Sequence, residues 1–288
     1  MTNASRRDRQ PTALVFGRGF SGSAIARALR EHGWHVEATT RDGRDGTHAF
    51  DGQASPELRT ISRDADVVVS TVGPKSDGRD PVLEAVAMFA SARAVIYLSA
   101  TSVYGDRNGQ WAFEHEAPRP ATRRGRARAE AELAWFETGL PVHALRCAGI
   151  YGPGRSAFDK LDRAVIKEGH VVNRIFVGDI ADVVVRVAKE PEPGVYNVAD
   201  GHPAPPEDVI DYAAALMGQA PPPRIPWTDP SLSAMARSFY TETKRVSIAK
   251  TVATFGWTPR HPSYREGLLA ILKLSRSQSS EQGEGDAR

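Results

Sequence analysis

The chain has 288 residues, 41% of them hydrophobic, enough for one large α/β unit or for a cofactor domain with a smaller lobe appended. Lys and Arg total 37 against 35 for Asp and Glu, so the formal charge of +2 gives no global case for binding nucleic acid or a membrane. The one cysteine, Cys147, excludes a disulfide framework and a cysteine-based zinc cluster, and the eight histidines show no paired metal-ligand spacing, so no metal is expected.

In chain order, MTNASRRDRQP over 1–11 lacks the apolar core of a signal peptide and reads as a disordered leader. No apolar run reaches the roughly 18 residues of a spanning helix, and a cytoplasmic setting is expected. From Thr12 onward short apolar runs alternate with amphipathic stretches, the pattern of a doubly wound parallel sheet with helices on both faces. Strands are predicted over 12–17, 35–40, 66–71, 94–99 and 141–147, and helices over 22–32, 56–62, 80–90 and 123–138. After Cys147 the alternation gives way to segments punctuated by Gly and Pro. The organisation expected is a dinucleotide-binding domain over 12–150, then remaining strands interleaved with a small substrate lobe over 151–274. The polar segment from Ser275 to Arg288 should be a loose tail.

Residues 12–28, TALVFGRGFSGSAIARA, run from an apolar strand through Gly17, Arg18, Gly19, Phe20 and Gly22 into an Ala-rich helix. The glycines suit a tight turn, close backbone approach to a pyrophosphate, and close packing of helix on strand, with the helix N-terminus facing the anion. The second strand ends HVEATTRDG. Thr39 and Thr40 stand where a carboxylate would bond the ribose 2′-hydroxyl of NAD, and Arg41 follows, which points to NADP with Arg18 assisting. NAD is the alternative, through Glu37 or Asp42. The small residues of STVGP, with Thr71, Val72 and Gly73, should pass close under the cofactor.

YLSATSVYGD at 97–106, RGRARAEAE at 124–132, LRCAGIYGPGRS at 145–156, VYNVADGHP at 195–203 and the closing KRVSIAKTVATFGWTPRHPSYREGL together resemble the extended short-chain dehydrogenase/reductase superfamily, epimerase/dehydratase-like. The resemblance spans about residues 12–270. It implies a Rossmann domain carrying NAD(P), with Ser99 near the cofactor, and a C-terminal lobe over the substrate. The family's proton relay is a Ser or Thr with Tyr-x-x-x-Lys. Here those positions are Ala100, Arg124 and Arg128, with Ser99 and Thr101 flanking the first. Arginine stays protonated and cannot act as the base, but it can stabilise negative charge on a substrate oxygen. Gly149 also stands where many nucleotide-sugar enzymes carry an Asn.

The site expected comprises Thr101 and Arg124 polarising a substrate oxygen, Arg128 holding the nicotinamide ribose, Tyr104 as a candidate acid or base, and Tyr151 and Arg155 on the substrate. Arg123 and Arg126 read as a solvated basic face partnered by Glu130 and Glu132. The EHE triplet at 114–116 reads as an exposed loop, Cys147 as buried and inert, and Trp34, Trp135 and Trp227 as packing aromatics. Two functions remain open. One is an NADP-dependent oxidoreductase or epimerase-like enzyme acting on a small polar anionic carbonyl or hydroxyl compound, sugar-derived ones among the candidates. The other is a non-catalytic NADP(H)-sensing protein. Helices 80–90 and 123–138 could pair in a homodimer.

Overall fold

The computed structural model describes residues 9–75, 77–83, 85, 89 and 91–285. Most of the leader and much of the helix expected over 80–90 lie outside the described residues.

Seven strands form one parallel sheet: β1 (Thr12–Phe16), β2 (His35–Thr40), β3 (His48–Ala49), β4 (Val67–Ser70), β5 (Ala94–Ala100), then β7 (Val142–Cys147) and β11 (Gly194–Val198), with the short β6 (Trp111–Ala112), β8 (Gly149–Tyr151), β9 (Ala164–Ile166) and β10 (Arg174–Phe176) outside it. The spatial order is β11-β7-β5-β4-β1-β2-β3. The chain therefore starts mid-sheet and reverses direction between β1 and β4, which opens a crevice at the carboxyl ends of those strands.

The helices are α1 (Phe20–Glu31), α2 (Pro56–Asp64), α3 (Arg123–Glu137), α4 (Val177–Lys189), α5 (Pro206–Leu216), α6 (Ala234–Ser238), α7 (Ala249–Phe255) and α8 (Tyr264–Gly285). Alternate residues of β1 face opposite cores. Ala13 and Val15 join Ile25 and Leu29 of α1 and Val183, Val184 and Val187 of α4, while Leu14 and Phe16 join Leu58 of α2 and Ala131 and Trp135 of α3. This two-sided burial is why the strands read as near-continuous apolar runs.

A smaller lobe is built from α5, α8 and two-stranded pairings: β8 with β10, and β9 with β12 (Arg224–Pro226). The short β13 (Arg245–Val246) pairs with β6 and ties the late chain back to the cofactor domain. The loose tail expected from Ser275 is instead drawn into α8, which continues to Gly285. Ser275 and Ser277 hydroxyls donate back to the carbonyls of Leu272 and Lys273, local bonds that a reading of composition does not count.

Candidate active site

The three glycines do three different things. Gly17 adopts φ +88°, the left-handed region where side chains are strained. A Cβ on Gly22 would lie 2.1 Å from the Gly17 carbonyl oxygen, so α1 can pack on the loop only with a hydrogen there. A Cβ on Gly19 would meet nothing within 4 Å and would project into open space at the N-terminus of α1. Gly19 is the N-cap and offers no side-chain partner, so the first backbone N–H groups of this 12-residue helix are left for an anion. Thr71 Oγ1 donates to the Gly17 carbonyl at 2.6 Å and clamps the loop to the end of β4. These features fit a dinucleotide pyrophosphate.

At the end of β2 the expected groups divide. Thr39 is buried and its Oγ1 accepts the Gly17 N–H, while the Thr40 hydroxyl bonds Asp42 and Thr47, so both threonines build the turn. Arg41 is exposed and makes no hydrogen bond or ion pair with any described residue. Arg18 lies 3.6 Å from Asp45. Two cations thus stand at the end of β2, Arg18 tied there by its N–H to the Thr39 carbonyl.

Beyond this loop a cavity of about 700 Å³ opens at the carboxyl ends of β5 and β7, lined by Ala100, Thr101, Arg124, Arg128, Cys147 and Arg155 among others. Gly125 permits the layout: a Cβ there would lie 2.7 Å from the Ser102 carbonyl, so its absence lets α3 approach the turn carrying Thr101. Arg128 reaches inward, its Nη1 donating to Tyr97 Oη and the Leu98 carbonyl, both at 2.9 Å. Its Nη2 would lie 3.2 Å from a Cβ on Gly73, which explains the small residue in that loop. Arg124 spans outward to the lobe, with its Nη2 3.5 Å from Ser238 Oγ and its guanidinium 4.9 Å above the Phe239 ring. Arg155 lies 5.6 Å over the Phe20 ring at the start of α1.

The cavity also holds groups that sequence reasoning missed: Lys75, Ser102, His170, Glu242 and Lys244. Ser102 follows Thr101 in the same turn and was within reach of the motif. The others come from loops with no local signature. Lys244 Nζ donates to Glu242 Oε2 at 2.8 Å. His170 is buried, burial and the nearby Lys167 push its pKa down to about 4, and neither ring nitrogen has a partner among the described residues. Arg123, expected on a solvated face, also lines the wall.

Three expectations need correction. Ser99 is buried and turns its hydroxyl to Glu132 Oε2 at 2.7 Å rather than to the cofactor. Glu132 does not serve the basic face of α3; it is buried against Arg146, whose Nε donates to Oε1 at 3.0 Å. Tyr104 is fully buried, donates to Asn197 Oδ1 at 2.7 Å, and lies outside the cavity wall; desolvation raises its pKa. Tyr151 lines a second cavity but donates to the Ser263 carbonyl at 3.3 Å, with its pKa raised by burial. In the EHE triplet, Glu114 accepts the Asn197 N–H and Glu116 pairs with Arg107. Cys147 is buried with its thiol pushed up to about 12, and Trp34 and Trp135 are core residues.

No protein-family model matches the chain. Protein YeeZ of Escherichia coli K12 is 32% identical over 236 residues, covering 72% of this chain and 84% of YeeZ. A solved protein of unknown function from Silicibacter pomeroyi is 39% identical, covers 92% of this chain and 99% of its own, and superposes with a TM-score of 0.85. MoeE5 in complex with UDP-glucose and NAD, 21% identical, covers 93% of this chain and 99% of its own with a TM-score of 0.77. The chain belongs to one family with YeeZ and the Silicibacter pomeroyi protein, and its fold is that of MoeE5 and a UDP-N-acetylglucosamine 4-epimerase from Bacillus cereus. The human epimerase family protein SDR39U1 with NADPH, 16% identical, shares the fold at a TM-score of 0.74 over 91% of this chain and 99% of its own. A Streptomyces 3-diazoavenalumate denitrifying reductase is 26% identical over 297 residues, 87% of this chain and 96% of its own.

Proposed function

We propose that the protein is an NADP-dependent oxidoreductase, epimerase/dehydratase-like, acting on a small polar anionic carbonyl or hydroxyl compound, with sugar-derived compounds among the candidates. The observation that carries this reading is the cavity beside the glycine loop. Among the described residues its wall presents six cations, Lys75, Arg123, Arg124, Arg128, Arg155 and Lys244, against the single carboxylate of Glu242. Such a surplus in a low-dielectric cleft favours an anion. A protein that only sensed NADP(H) would need no such space, and this weighs against the non-catalytic alternative.

Relatives support the cofactor class: MoeE5 was solved with NAD, SDR39U1 with NADPH, and the Streptomyces relative is named a reductase. When bound, a nicotinamide supplies or takes up hydride. The chain's own groups do the rest. The α1 N-terminus and Gly19 take the pyrophosphate, Arg41 and Arg18 take the 2′-phosphate, and Arg128 takes the nicotinamide ribose with the N–H groups that Tyr97 and Leu98 leave free. Arg124 and Thr101 polarise the substrate oxygen. The proton comes from another group or from water, since neither arginine can release one near neutral pH.

Fluorescence titration with NADPH and NADH tests this. Tighter binding of NADPH is expected, with Arg41→Ala selectively weakening NADPH by about 1 to 3 kcal/mol, the scale of a lost charged hydrogen bond. Equal affinities would remove the NADP assignment, and no binding of either would remove the function.

A further inference from the structure

A second cavity of about 610 Å³ opens beside the first and shares Gly149, Arg155, Val172 and Phe239 with it. Its walls are flat and apolar: the rings of Tyr151, Phe239, Tyr240 and Tyr264, with Ile210 of α5 and Leu268 of α8. The rings are held in place. Tyr151 meets Phe176 edge-on at 5.5 Å and Tyr264 meets Tyr212 edge-on at 5.7 Å.

Four cations enter this apolar space: Arg155, Lys160, Arg163 and Arg174. Arg163 is partnered by Asp162 at 3.5 Å. Arg174 is different, because its Nη1 donates to the carbonyls of Val172 and Ala204, at 2.9 and 3.2 Å, and its other guanidinium nitrogens make no hydrogen bond with a described residue, the carboxyl of Asp200 being its neighbouring opposite charge. A guanidinium half-buried among rings with unfilled donors is set to receive a planar anion, which it can bind through two parallel N–H groups.

The chemistry of the wall narrows the ligand. Among the described residues its one carboxylate, Asp159, already accepts the Ser156 N–H, and none that lines it is Asn, Gln, Glu or His. Recognition of a sugar's many hydroxyls draws on side-chain acceptors, and Asp159 is the one carboxylate or amide group here among the described residues. An inorganic anion would leave the rings unused. A flat apolar body ending in a carboxylate uses both the rings and the guanidinium.

We propose that this cavity receives an aryl or arylalkenyl carboxylate as the anionic end of the substrate, its carboxylate on Arg174 and its ring against Tyr264 and Phe239. The reacting end then crosses the shared edge at Arg155 toward Thr101, Arg124 and Arg128. This rests on the oxidoreductase reading of the first cavity and names the substrate class for it.

Calorimetric titration of the full chain with 4-hydroxycinnamate, without cofactor and then with NADPH, tests the assignment. Saturable binding at one site is expected, weakened at least about tenfold by Arg174→Gln, the scale of one charged hydrogen bond. Arg174 also ties two backbone carbonyls, so Ile210→Glu serves as the second variant, placing a repelling charge in the cavity without touching them; the same loss is expected. NADPH affinity and melting temperature should be unchanged in Ile210→Glu. The proposal is overturned if 4-hydroxycinnamate shows no saturable binding up to about 10 mM, if both variants bind it undiminished, or if uridine monophosphate or inorganic phosphate binds more tightly. Binding of 4-hydroxycinnamate without any binding of NADPH or NADH would strike the oxidoreductase reading and leave this cavity assigned. The reverse pattern strikes the assignment alone.

Discussion

Arg128 and Tyr97 form a fixed unit: the guanidinium donates to the phenol oxygen at 2.9 Å and stands 5.5 Å over the same ring. Both hydrogens of Nη1 are consumed, one by Tyr97 and one by the Leu98 carbonyl. The remaining N–H groups are thereby oriented. Tyr97→Phe should therefore loosen Arg128 and weaken NADPH binding by about 1 kcal/mol, the net value of a hydrogen bond, while Arg128→Ala should cost about 1.5 to 3 kcal/mol. Fluorescence titration reads both. Unchanged affinity in the pair would mean that Arg128 does not reach the cofactor.

The glycine loop gives two opposite outcomes three residues apart. Gly19→Leu should abolish NADPH binding and leave the melting temperature unchanged, because its side chain enters open space where the pyrophosphate would lie. Gly22→Ala should destabilise the fold by about 1 to 3 kcal/mol, the cost of overpacking, because its Cβ would meet the Gly17 carbonyl at 2.1 Å. Thermal melts and titrations of both variants separate the two roles. A Gly19→Leu protein that still binds NADPH would refute the assignment of the loop.

Burial concentrates a polar cluster where helix α3 meets the sheet. Glu132 is shared by Arg146 and Ser99, and Arg146 also lies 4.7 Å under the Tyr104 ring. Burial alone would lower the pKa of Arg146, but Glu132 overcomes it and the net direction is upward. Glu132→Ala leaves that cation uncompensated and should cost about 3 to 5 kcal/mol. Ser99→Ala should cost only about 1 kcal/mol, since it removes one hydrogen bond. Urea denaturation compares them, and similar small losses would show that the pair is not a load shared across α3 and β7.

Much of the fold was legible because the sheet is buried on both faces. β2 begins and ends where HVEATT predicts, and β1, β5 and β7 agree to within one residue at each end. The glycine loop was legible for the same local reason, since strand, turn and helix adjoin in sequence. Of the groups that line the cavity, those whose place could be read from the sequence sit on or beside such elements, as with Thr101, Arg124 and Arg128. Ser99 and Tyr104 misled because the pattern places a residue at a strand end but does not show that Glu132 and Asn197, 33 and 93 residues away, will take their hydroxyls. His170, Glu242 and Arg174 were invisible because the lobe that gathers them is stitched from strands of two or three residues, too short for any periodicity, and Lys75 because it lies in the loop after β4, outside any periodic element.

Asp200 supplies a prediction with a definite sign. It is buried, one oxygen accepts the His202 N–H, the other has no hydrogen-bond partner among the described residues, and burial raises its pKa from 3.8 to about 7. A carboxyl whose folded pKa is raised binds its proton more tightly in the native state than in the unfolded chain. Its contribution to stability is therefore complete below about pH 4 and is lost as pH rises to about 7, where the native state must also ionise. Asp200→Asn keeps the acceptor oxygen and cannot ionise. The stability of Asp200→Asn minus that of the natural chain, measured by urea denaturation, should rise between pH 4 and pH 7 by a few kcal/mol, the order set by the raised pKa, and then level off. Taking the difference cancels every other titrating group that the two proteins share, including His143 and His170, which burial drives the opposite way, down to about 4. A difference that stays flat across this range would show that Asp200 is ionised throughout, held by the neighbouring charge of Arg174.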